Sequence, residues 1–334
     1  MTQHWSGRAR VVVLTTDEVG PPSNLAALED LADVVVTDAR GLSDALPGAH
    51  VLLMWDFFST ALADAWDSVA GLQWVHVAAA GVDTLLFDGL RESEVVVSNA
   101  RGVFDRPIAE FVAAAVLAHD KQLHESKRLQ RAQVWQHREL TRTEGSRALV
   151  VGAGGIGRAC AQMLGAVGME VTVAARTARE DSELGRVVAT DDLLNHLRQV
   201  DHVVLAAPLT EQTRGLIGAQ QLAAMKPTAH LVNVGRGPLV DEAALVDALR
   251  DGRIAAATLD VFENEPLPED HPFWTMEHVH VSAHMCGDVV GWRDGLAQQF
   301  EDNLRRWLRG ESPHSVVDKT LGFAATTPAG QAAS

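Results

Sequence analysis

Short apolar runs recur along the first hundred residues, and polar stretches with helical spacing separate them. Five of these runs are rich in valine and leucine, namely RVVVLTT, DVVVTD, HVLLMW, LQWVHVA and EVVVSN. Uninterrupted apolar runs of this length are typical of parallel strands that helices cover on both faces, so that neither face meets water. The pattern therefore predicts a parallel α/β sheet in this part of the chain.

A second alternation of strands and helices begins at Arg147. Its first part, SRALVVGAGGIGRACAQMLGAVGMEVTVAAR, predicts a strand, a glycine turn, a helix and another strand. Further strands are predicted in HVVLAAP, HLVNVGRG, IAAATLDVF and HVHVSAH. DEAALVDALRDG is predicted to be a helix, because Asp241 and Glu242 favour the start of a helix and Gly252 favours its end.

The remaining helical patterns connect these two blocks. Residues 106–133 are predicted to form one long helix that leads from the first block to the second, and GDVVGWRDGLAQQFEDNLRRWLRG is predicted to be a last amphipathic helix. The fold class is therefore α/β, with two doubly wound parallel-sheet domains. A Rossmann cofactor domain at residues 100–287 is inserted into a smaller flavodoxin-like substrate domain made of residues 1–99 and 288–318. Residues 319–334 are expected to be a flexible tail.

Length and composition agree with a two-domain protein in the cytoplasm. The 334 residues suffice for two domains of roughly 150 residues each. No apolar run approaches the ~20 residues that span a bilayer, and the N-terminus leads directly into a strand without the pattern of a signal peptide. The two cysteines, Cys160 and Cys286, are too few for a disulfide framework, which favours a reducing compartment. We therefore expect a cytoplasmic location.

The net charge of −16, from 28 basic and 44 acidic residues, narrows the range of partners. Such a charge argues against nucleic acids and anionic membranes, because both are themselves negative. It also repels small anionic substrates. A carboxylate substrate would need an arginine in the binding site to overcome this repulsion.

One loop fits the dinucleotide-binding pattern G-x-G-x-x-G, with the sequence Gly152-Ala153-Gly154-Gly155-Ile156-Gly157. In this pattern the first glycine allows a tight turn, the second lets the backbone approach a pyrophosphate, and the third lets the helix pack closely on the strand. The loop follows a predicted strand and opens a predicted helix, which is the context that makes the pattern specific. The alternative is an ordinary turn. The loop predicts a nicotinamide or similar dinucleotide cofactor.

The end of the next strand indicates which dinucleotide is bound. An acid that contacts the ribose 2′-hydroxyl is expected about 20 residues after the glycines. This chain has Ala175 and Arg176 there, followed by Thr177 and Arg179. Arginines can instead bind a 2′-phosphate through charge-assisted hydrogen bonds, so we predict that NADP is preferred and that NAD is possible. The alternative is that these arginines form a solvated turn and that the protein uses NAD.

Three later segments place isolated polar residues after predicted strands. Arg236 lies between two glycines, Asp260 and Glu265 follow the next strand, and His284 follows another. Ligands of doubly wound sheets bind at the carboxyl ends of the strands. There an arginine can hold a carboxylate, and a histidine paired with a glutamate can donate a proton. These are the groups that reduction of a 2-keto acid by NADPH requires, and no metal-binding motif is predicted. The alternative is that each residue is structural, as most of the 14 histidines must be.

From about Val51 to Arg306, the chain resembles the D-isomer-specific 2-hydroxyacid dehydrogenases. The resemblance depends on the glycine loop and on APLTEQTRGLIG, NVGRGPLVDEAALVDALRDG, LDVFENEPLPEDHPFW and SAH in that order. It implies catalytic roles for Arg236, Glu265 and His284, with Arg236 and His284 also binding substrate. It implies cofactor contacts at Ala207, Pro208, Val234 and Asp260. It further implies a homodimer formed through the cofactor domain.

The resemblance also implies a substrate-carboxylate loop and a pocket residue in the first domain. The loop is Ala79-Ala80-Gly81-Val82-Asp83, with Ala80, Gly81 and Val82 as the expected contacts. MWDFFST is similar to the aromatic wall of the family's glyoxylate and hydroxypyruvate reductases, so Trp55 is predicted to line the pocket. The alternative, equally weighted, is that Trp55 is buried in the core.

The sequence departs from the family pattern near the histidine. Ala283 stands where the family often has proline, and Met285 and Cys286 follow where small residues are usual. Nothing near Cys286 marks it as a reactive thiolate. The predicted activity is reduction of a small 2-keto acid to a D-2-hydroxy acid, with glyoxylate and hydroxypyruvate as first candidates, while formate or phosphite oxidation is less favoured. The alternative from another functional class is a dinucleotide-sensing regulatory protein of the same fold.

Overall fold

The computed structural model describes residues 8–324, so the first seven residues of the chain and positions 325–334 of the expected tail lie outside the described residues. Within this range the strands are β1 (Arg10–Leu14), β2 (Asp33–Thr37), β3 (Val51–Met54), β4 (Trp74–Val77), β5 (Val96–Asn99), β6 (Arg147–Val151), β7 (Glu170–Ala175), β8 (Arg179–Asp181), β9 (Gly185–Ala189), β10 (His202–Leu205), β11 (His230–Asn233), β12 (Ala256–Leu259) and β13 (Val279–Val281). The α-helices are α1 (Leu25–Leu31), α2 (Leu42–Ala45), α3 (Ala61–Asp64), α4 (Asp88–Glu92), α5 (Asp105–Asp120), α6 (Leu123–Arg131), α7 (Gly155–Ala166), α8 (Leu193–Leu197), α9 (Ala219–Ala224), α10 (Glu242–Arg250) and α11 (Trp292–Leu308).

The chain forms two compact units. The first contains Met1–Val103 together with Val290–Ser334, and the second contains Phe104–Val289. The expected domains change at residues 99/100 and 287/288, close to these positions. Within residues 8–324, no helix is long and apolar enough to cross a membrane.

The first unit is built on a parallel sheet with the strand order β2-β1-β3-β4-β5, which is the flavodoxin-like order. The valine and leucine runs form these strands as predicted. Their side chains fill a core in which Val12, Leu14, Leu52 and Val75 are inaccessible to solvent. The helix α11 joins this unit, with its Phe300 ring stacked at 5.5 Å from a tryptophan of β4.

The last described residues are attached to the first unit. The Nζ of Lys319 donates hydrogen bonds to the carbonyl oxygens of Leu90 and Val95, each at 3.1 Å. The chain also pairs with itself between Asp318 and Phe323. Residues 319–324, expected to begin a flexible tail, are therefore held in place by backbone and side-chain hydrogen bonds.

The second unit is a Rossmann-type sheet with the order β13-β12-β11-β10-β6-β7-β9-β8. Its strands are parallel except β8, which runs antiparallel to β9. The sequence pattern did not predict this edge hairpin, because its strands are short and β8 consists only of charged residues. The helix α10 is confirmed, with Asp241 as its N-cap accepting a hydrogen bond from the Ala244 N–H.

The predicted long helix at 106–133 is wrong, because two helices occupy this stretch. The first ends at Asp120, whose buried carboxylate accepts a hydrogen bond from Thr143 at 2.7 Å and lies 3.1 Å from His202. Gln122 then takes a left-handed conformation with φ of 47°, after which α6 begins. Because no glycine or proline marks this break, helical periodicity alone could not reveal it. Contacts with distant residues determine where α5 ends.

Candidate active site

The second unit brings most of the predicted site residues to one edge of its sheet. The glycine loop follows β6, and Ala207 and Pro208 follow β10. Val234 and Arg236 follow β11, and Asp260 follows β12 directly. Because β6 and β10–β13 are parallel, their carboxyl ends meet at this edge, where ligands of such sheets bind.

The glycine loop, residues 152–157, has a backbone that only glycine allows at two positions. Gly152 has φ of +120°, and a Cβ there would lie 2.5 Å from the carbonyl oxygen of Ala206. A Cβ on Gly157 would lie 1.8 Å from the carbonyl oxygen of Gly152. The loop and the start of α7 are therefore packed tightly against the end of the sheet.

The same loop fits a dinucleotide pyrophosphate. A Cβ on Gly154 would meet nothing within 4 Å, so the backbone at this position is open to an approaching ligand. The first turn of α7 itself contains no acidic residue, while the carboxylate of Asp105 in α5 lies beside Gly155. The start of a helix attracts phosphate oxygens through its N–H groups and its dipole. Gly154, Gly155 and Ile156 are the residues that would hold the pyrophosphate.

The end of β7 carries positive charge where an acid would bind ribose. Ala175 is the last residue of the strand, and the exposed Arg176 and Thr177 follow it directly. Arg179 begins the edge strand β8 and is also exposed. These residues offer hydrogen-bond donors of the kind that a phosphate accepts.

Asp260 is fully buried, and it holds the loop that carries the predicted catalytic histidine. One carboxylate oxygen accepts the Met285 N–H at 3.0 Å and the other accepts the Cys286 N–H at 3.1 Å. The Asp260 carbonyl oxygen accepts the N–H of His284 at 2.8 Å. His284 itself has φ of 52°, a left-handed conformation that is uncommon outside glycine. The structure therefore shows Asp260 bound to the His284 loop, and its contact with the cofactor stays a prediction.

His284 and Glu265 form a direct pair. The imidazole Nδ1 lies 2.7 Å from Oε2 of Glu265, and each side chain is about 30% exposed. The second oxygen of Glu265, Oε1, accepts the Phe262 N–H at 2.8 Å, which fixes the orientation of the carboxylate. With Nδ1 donating to Glu265, Nε2 is the ring nitrogen that would exchange a proton with a substrate.

Glu265 remains ionised well into the acidic range. Partial burial acts to raise its pKa, but the hydrogen bonds from His284 and from the Phe262 N–H, together with the charges of His284 and Arg236, lower the pKa below its ordinary value. The charge of Arg236 is the smallest of these contributions to the lowered pKa of Glu265.

Arg236 is positioned by an asparagine at the end of β11. The Nδ2 of Asn233 donates to the Arg236 carbonyl oxygen at 3.0 Å, and its Oδ1 accepts the Gly235 N–H at 3.1 Å. The guanidinium of Arg236 donates from Nη1 to the Gly235 carbonyl oxygen at 2.8 Å. The sequence analysis did not select Asn233, although an asparagine that ends a strand before a Gly-x-Gly turn is a signal for such a loop.

The first unit holds the remaining predicted residues. Trp55 follows β3 and is almost completely buried, and within residues 8–324 its indole N–H has no hydrogen-bond partner. Ala80, Gly81 and the buried Val82 follow β4. Asn99, which the sequence analysis also missed, donates from Nδ2 to the Ala80 carbonyl oxygen at 2.5 Å. An asparagine at a strand end thus supports the predicted carboxylate loop.

Met285 and Cys286 differ in their surroundings. The Met285 side chain is exposed, whereas Cys286 is partly buried. Burial, followed by the charge of Asp260, raises the pKa of the Cys286 thiol well above its ordinary value. The thiol therefore stays protonated and is a poor nucleophile. Within residues 8–324, no group of three or more His, Cys, Asp or Glu side chains could hold a metal ion.

Comparisons with known proteins agree on one family. Residues 113–286 match the model of the D-isomer specific 2-hydroxyacid dehydrogenase, NAD binding domain. A glyoxylate reductase of Thermofilum pendens is 32% identical over 318 residues, covering 90% of this chain and 93% of that protein. A glyoxylate/hydroxypyruvate reductase B of Enterobacter agglomerans is 34% identical over 263 residues, covering 75% and 79%.

Solved structures with the same fold include two with bound cofactor. A D-isomer specific 2-hydroxyacid dehydrogenase from Xanthobacter autotrophicus Py2, in complex with NADPH and MES, has a TM-score of 0.83 and 32% identity, covering 95% of this chain and 100% of that one. An NADPH-dependent glyoxylate/hydroxypyruvate reductase from Sinorhizobium meliloti, in complex with NADP and sulfate, has a TM-score of 0.81 and 26% identity with the same coverage.

Proposed function

The chain belongs to the D-isomer specific 2-hydroxyacid dehydrogenase family, and on that premise we propose that it reduces a small 2-keto acid to a D-2-hydroxy acid with NAD(P)H. The observation that carries this proposal is the direct pair of His284 and Glu265, with Arg236 after the neighbouring strand β11, at the edge of the sheet that also holds the glycine loop. Glyoxylate and hydroxypyruvate are the first substrates to test, because relatives that span most of the chain are named for them.

The chemistry follows from the contacts of these residues. A bound nicotinamide supplies the hydride. Arg236 binds the substrate carboxylate and overcomes the repulsion from the net negative charge of the protein. His284, held at Nδ1 by Glu265, donates the proton from Nε2 to the keto oxygen and accepts it again in the oxidative direction.

We further propose a preference for NADPH over NADH. It is supported by Arg176, Thr177 and Arg179 at the end of β7, where an acid would otherwise bind the ribose. Two structural neighbours with the same fold hold NADPH or NADP. An arginine fork can bind a 2′-phosphate through two charge-assisted hydrogen bonds, which a ribose hydroxyl cannot match.

Substrate contacts in the first unit are part of the same proposal. A buried donor without a partner costs free energy, and an acceptor on the substrate would recover it for the indole N–H of Trp55. The backbone at Ala80, Gly81 and Val82, supported by Asn99, is proposed to bind the substrate carboxylate.

We also propose that the protein is a homodimer formed through the second unit. A single segment of this unit exposes the apolar side chains of Leu123, Val134, Trp135 and Leu140. Exposed apolar patches are typical of protein interfaces, and four exposed apolar residues within 18 positions of the sequence support such a patch here. A cytoplasmic location is proposed as well, on the basis that both cysteines are free.

The test of the activity follows the absorbance of NADPH at 340 nm with a panel of 2-keto acids from glyoxylate to phenylpyruvate. We expect rapid oxidation of NADPH by at least one small keto acid and slower oxidation of NADH. Tight cofactor binding without turnover of any keto acid would contradict the proposed activity and would favour the dinucleotide-sensing alternative. The relatives described above are dehydrogenases and reductases, so this alternative has gained no support.

A further inference from the structure

Arg158, the residue directly after the glycine loop, forms a two-pronged ion pair with a residue far along the chain. Its Nη1 donates to Oδ1 of Asp181 at 2.8 Å, and its Nη2 donates to the other oxygen of the same carboxylate. The Nη1 also reaches Oε2 of Glu183 at 3.1 Å. The Arg158 and Asp181 side chains are only 20% and 9% exposed. Paired, directional hydrogen bonds of this kind fix the relative position of the two elements that carry them.

Asp181 ends the edge strand β8 and also organises the turn that follows. Its Oδ1 accepts the N–H of Glu183 at 3.1 Å and the N–H of Leu184 at 3.2 Å. The strand β8 then pairs with β9, which in turn pairs with β7. The carboxylate therefore links the β8–β9 hairpin to the first turn of α7.

Residues 176–179, here called the basic loop, lead directly into this hairpin. The loop starts directly after β7 and ends with the first residue of β8, so both of its ends are anchored in the sheet. The Nη2 of Arg179 lies 3.8 Å from Oδ2 of Asp181. Because Arg158 already binds both oxygens of Asp181, this carboxylate attracts the guanidinium of Arg179 less strongly and leaves it available to a phosphate.

Arg158 and Asp181 are both charged at neutral pH. The hydrogen bond from Arg158 lowers the pKa of Asp181 well below its ordinary value, and backbone N–H groups add to this effect. The pKa of Arg158 is raised in return by the hydrogen bond to Asp181. The contact is therefore a permanent feature of the native state at neutral pH.

We propose that the Arg158–Asp181 pair is a specificity-determining positioning element, which holds the basic loop at the distance from the glycine loop that a 2′-phosphorylated dinucleotide requires. The proposal rests on the NADPH preference proposed above and deepens it. Neither residue needs to touch the reacting atoms. Their effect is exerted through the helix that starts at the pyrophosphate site and through the hairpin that ends the basic loop.

The test is the substitution Arg158→Gln, analysed by steady-state kinetics with each cofactor. It removes the guanidinium that binds both oxygens of Asp181, so that this carboxylate can draw Arg179, now 3.8 Å away, into closer pairing and withdraw a donor from the 2′-phosphate. We expect KM for NADPH to rise about tenfold, which corresponds to the loss of one charge-assisted hydrogen bond. KM for NADH and kcat with saturating NADPH are expected to stay within about twofold, because no group near the reacting atoms changes.

The matched control is Arg147→Gln. Arg147 pairs with Glu170 at 3.0 Å in the same sheet, but at the opposite, amino ends of β6 and β7. This variant removes the same charge, and its ratio of KM values for NADPH and NADH is expected to equal that of the wild type. A change in this ratio as large as that in Arg158→Gln would overturn the proposal, because net charge alone would then explain the effect.

Other outcomes separate the positioning role from the cofactor preference. A wild-type protein that prefers NADH overturns the NADPH preference and this inference with it. A wild type that prefers NADPH, combined with an unchanged NADPH KM in Arg158→Gln, overturns only the positioning role. Equal increases for both cofactors would show general damage to α7 and would also contradict it. If Arg158→Gln fails to fold, Arg158→Lys, which keeps the charge and the aliphatic stem but loses the fork, is expected to show the same selective increase at smaller size.

Discussion

Glu265 divides its two carboxylate oxygens between the imidazole of His284 and the N–H of Phe262. A glutamine at this position would lose the negative charge that faces the imidazole, and its amide could not accept hydrogen bonds from both donors. We expect Glu265→Gln to lower kcat for keto-acid reduction about 100-fold with a smaller change in the cofactor KM. The measurement is a steady-state assay at 340 nm, compared with Glu263→Gln, which changes an exposed glutamate two residues away. Equal activities of the two variants would remove Glu265 from the catalytic group.

The second prediction for a single residue concerns Asp260. Asp260→Asn would place an amide NH2 against a backbone N–H, leaving at least one buried donor without an acceptor. We expect a loss of about 1–3 kcal/mol in the free energy of unfolding, together with a fall in kcat, because the loop that holds His284 in its left-handed conformation is loosened. Urea unfolding and kinetics measure the two effects, with the exposed Asp247→Asn as control. Wild-type kcat at full cofactor saturation would show that this loop does not need Asp260.

The buried indole N–H of Trp55 gives a third prediction. Trp55→Phe keeps an aromatic ring and removes the donor that has no partner in the part of the chain that the structure describes. We expect KM for the preferred keto acid to rise about fivefold, the equivalent of one hydrogen bond of ~1 kcal/mol, with kcat little changed. Trp274→Phe, which changes a half-exposed tryptophan, is the control. If KM and kcat match the wild type for every keto acid, Trp55 belongs to the core alone.

At the scale of elements, the strands were predictable and some of their limits were not. Valine-rich runs such as VVVL in β1 and HVVL in β10 form strands because burial on both faces requires an unbroken apolar stretch. The break between α5 and α6 depends on Asp120 meeting Thr143 and His202, which are distant in sequence. The β8–β9 hairpin has a strand of only charged residues, and its Asp181 binds Arg158, which is distant in sequence. Periodicity cannot reveal either feature, since it reports only local spacing.

The same limit applies to the candidate site. Glycine spacing identified the loop at residues 152–157, and strand ends indicated Arg236, Glu265 and His284. The asparagines that support two of the loops, Asn99 and Asn233, were missed, because their hydrogen bonds to the loops are visible only in the folded structure, although the Gly-x-Gly turn after Asn233 was a usable signal. The contact of Asp260 with the His284 loop was missed because it joins residues that are distant in sequence.

A group of histidines at the amino ends of the strands gives a prediction at this scale. The rings of His119 and His230 are stacked at 4.5 Å, and those of His124 and His280 at 3.5 Å. Burial, assisted by the neighbouring histidines, lowers the pKa of His280 to about 4 and lowers that of His230 well below its ordinary value. The charged and titratable groups that face this cluster are His119, Asp120, His124, His202 and His278.

Histidines held neutral in the folded state bind fewer protons than they do in the unfolded chain. The free energy of unfolding must therefore decrease as pH falls below about 6.5, and it continues to decrease until the folded state is itself protonated near pH 4 for His280. The pKa of Asp120 is also lowered, so Asp120 contributes stability that is likewise lost on acidification, but only at still lower pH. Each such histidine contributes up to about 1.4 kcal/mol per pH unit in this window.

Urea unfolding between pH 7.5 and 4.5 measures this slope in the wild type and in His280→Gln. We expect the variant to lose less stability on acidification, because one group no longer takes up a proton on unfolding. His314→Gln, at an exposed position of the first unit, is the control and is expected to keep the wild-type slope. A His280→Gln slope identical to that of the wild type would exclude His280 as a source of acid sensitivity.

At the scale of the whole molecule, the net charge of −16 and the exposed apolar segment act in opposite directions on association. Like charges on two copies repel each other, so a homodimer must bury enough apolar surface to compensate. Within residues 8–324, the segment with Val134, Trp135 and Leu140 includes a fully exposed tryptophan. Tryptophan is enriched among the residues that dominate interface energies. The proposed dimer should therefore be weakened strongly by a change at Trp135 and strengthened slightly by salt.

The corresponding experiment compares Trp135→Ser with Trp274→Ser by light scattering after size-exclusion chromatography, at low and at moderate ionic strength. We expect the mass of a dimer for the wild type and for Trp274→Ser, and a shift toward the monomer for Trp135→Ser. Salt should reduce this shift, because screening weakens the repulsion between copies while leaving the remaining apolar contact intact. A wild-type protein that is monomeric under every condition would contradict the homodimer, and a Trp135→Ser variant that remains fully dimeric would place the interface elsewhere on the surface.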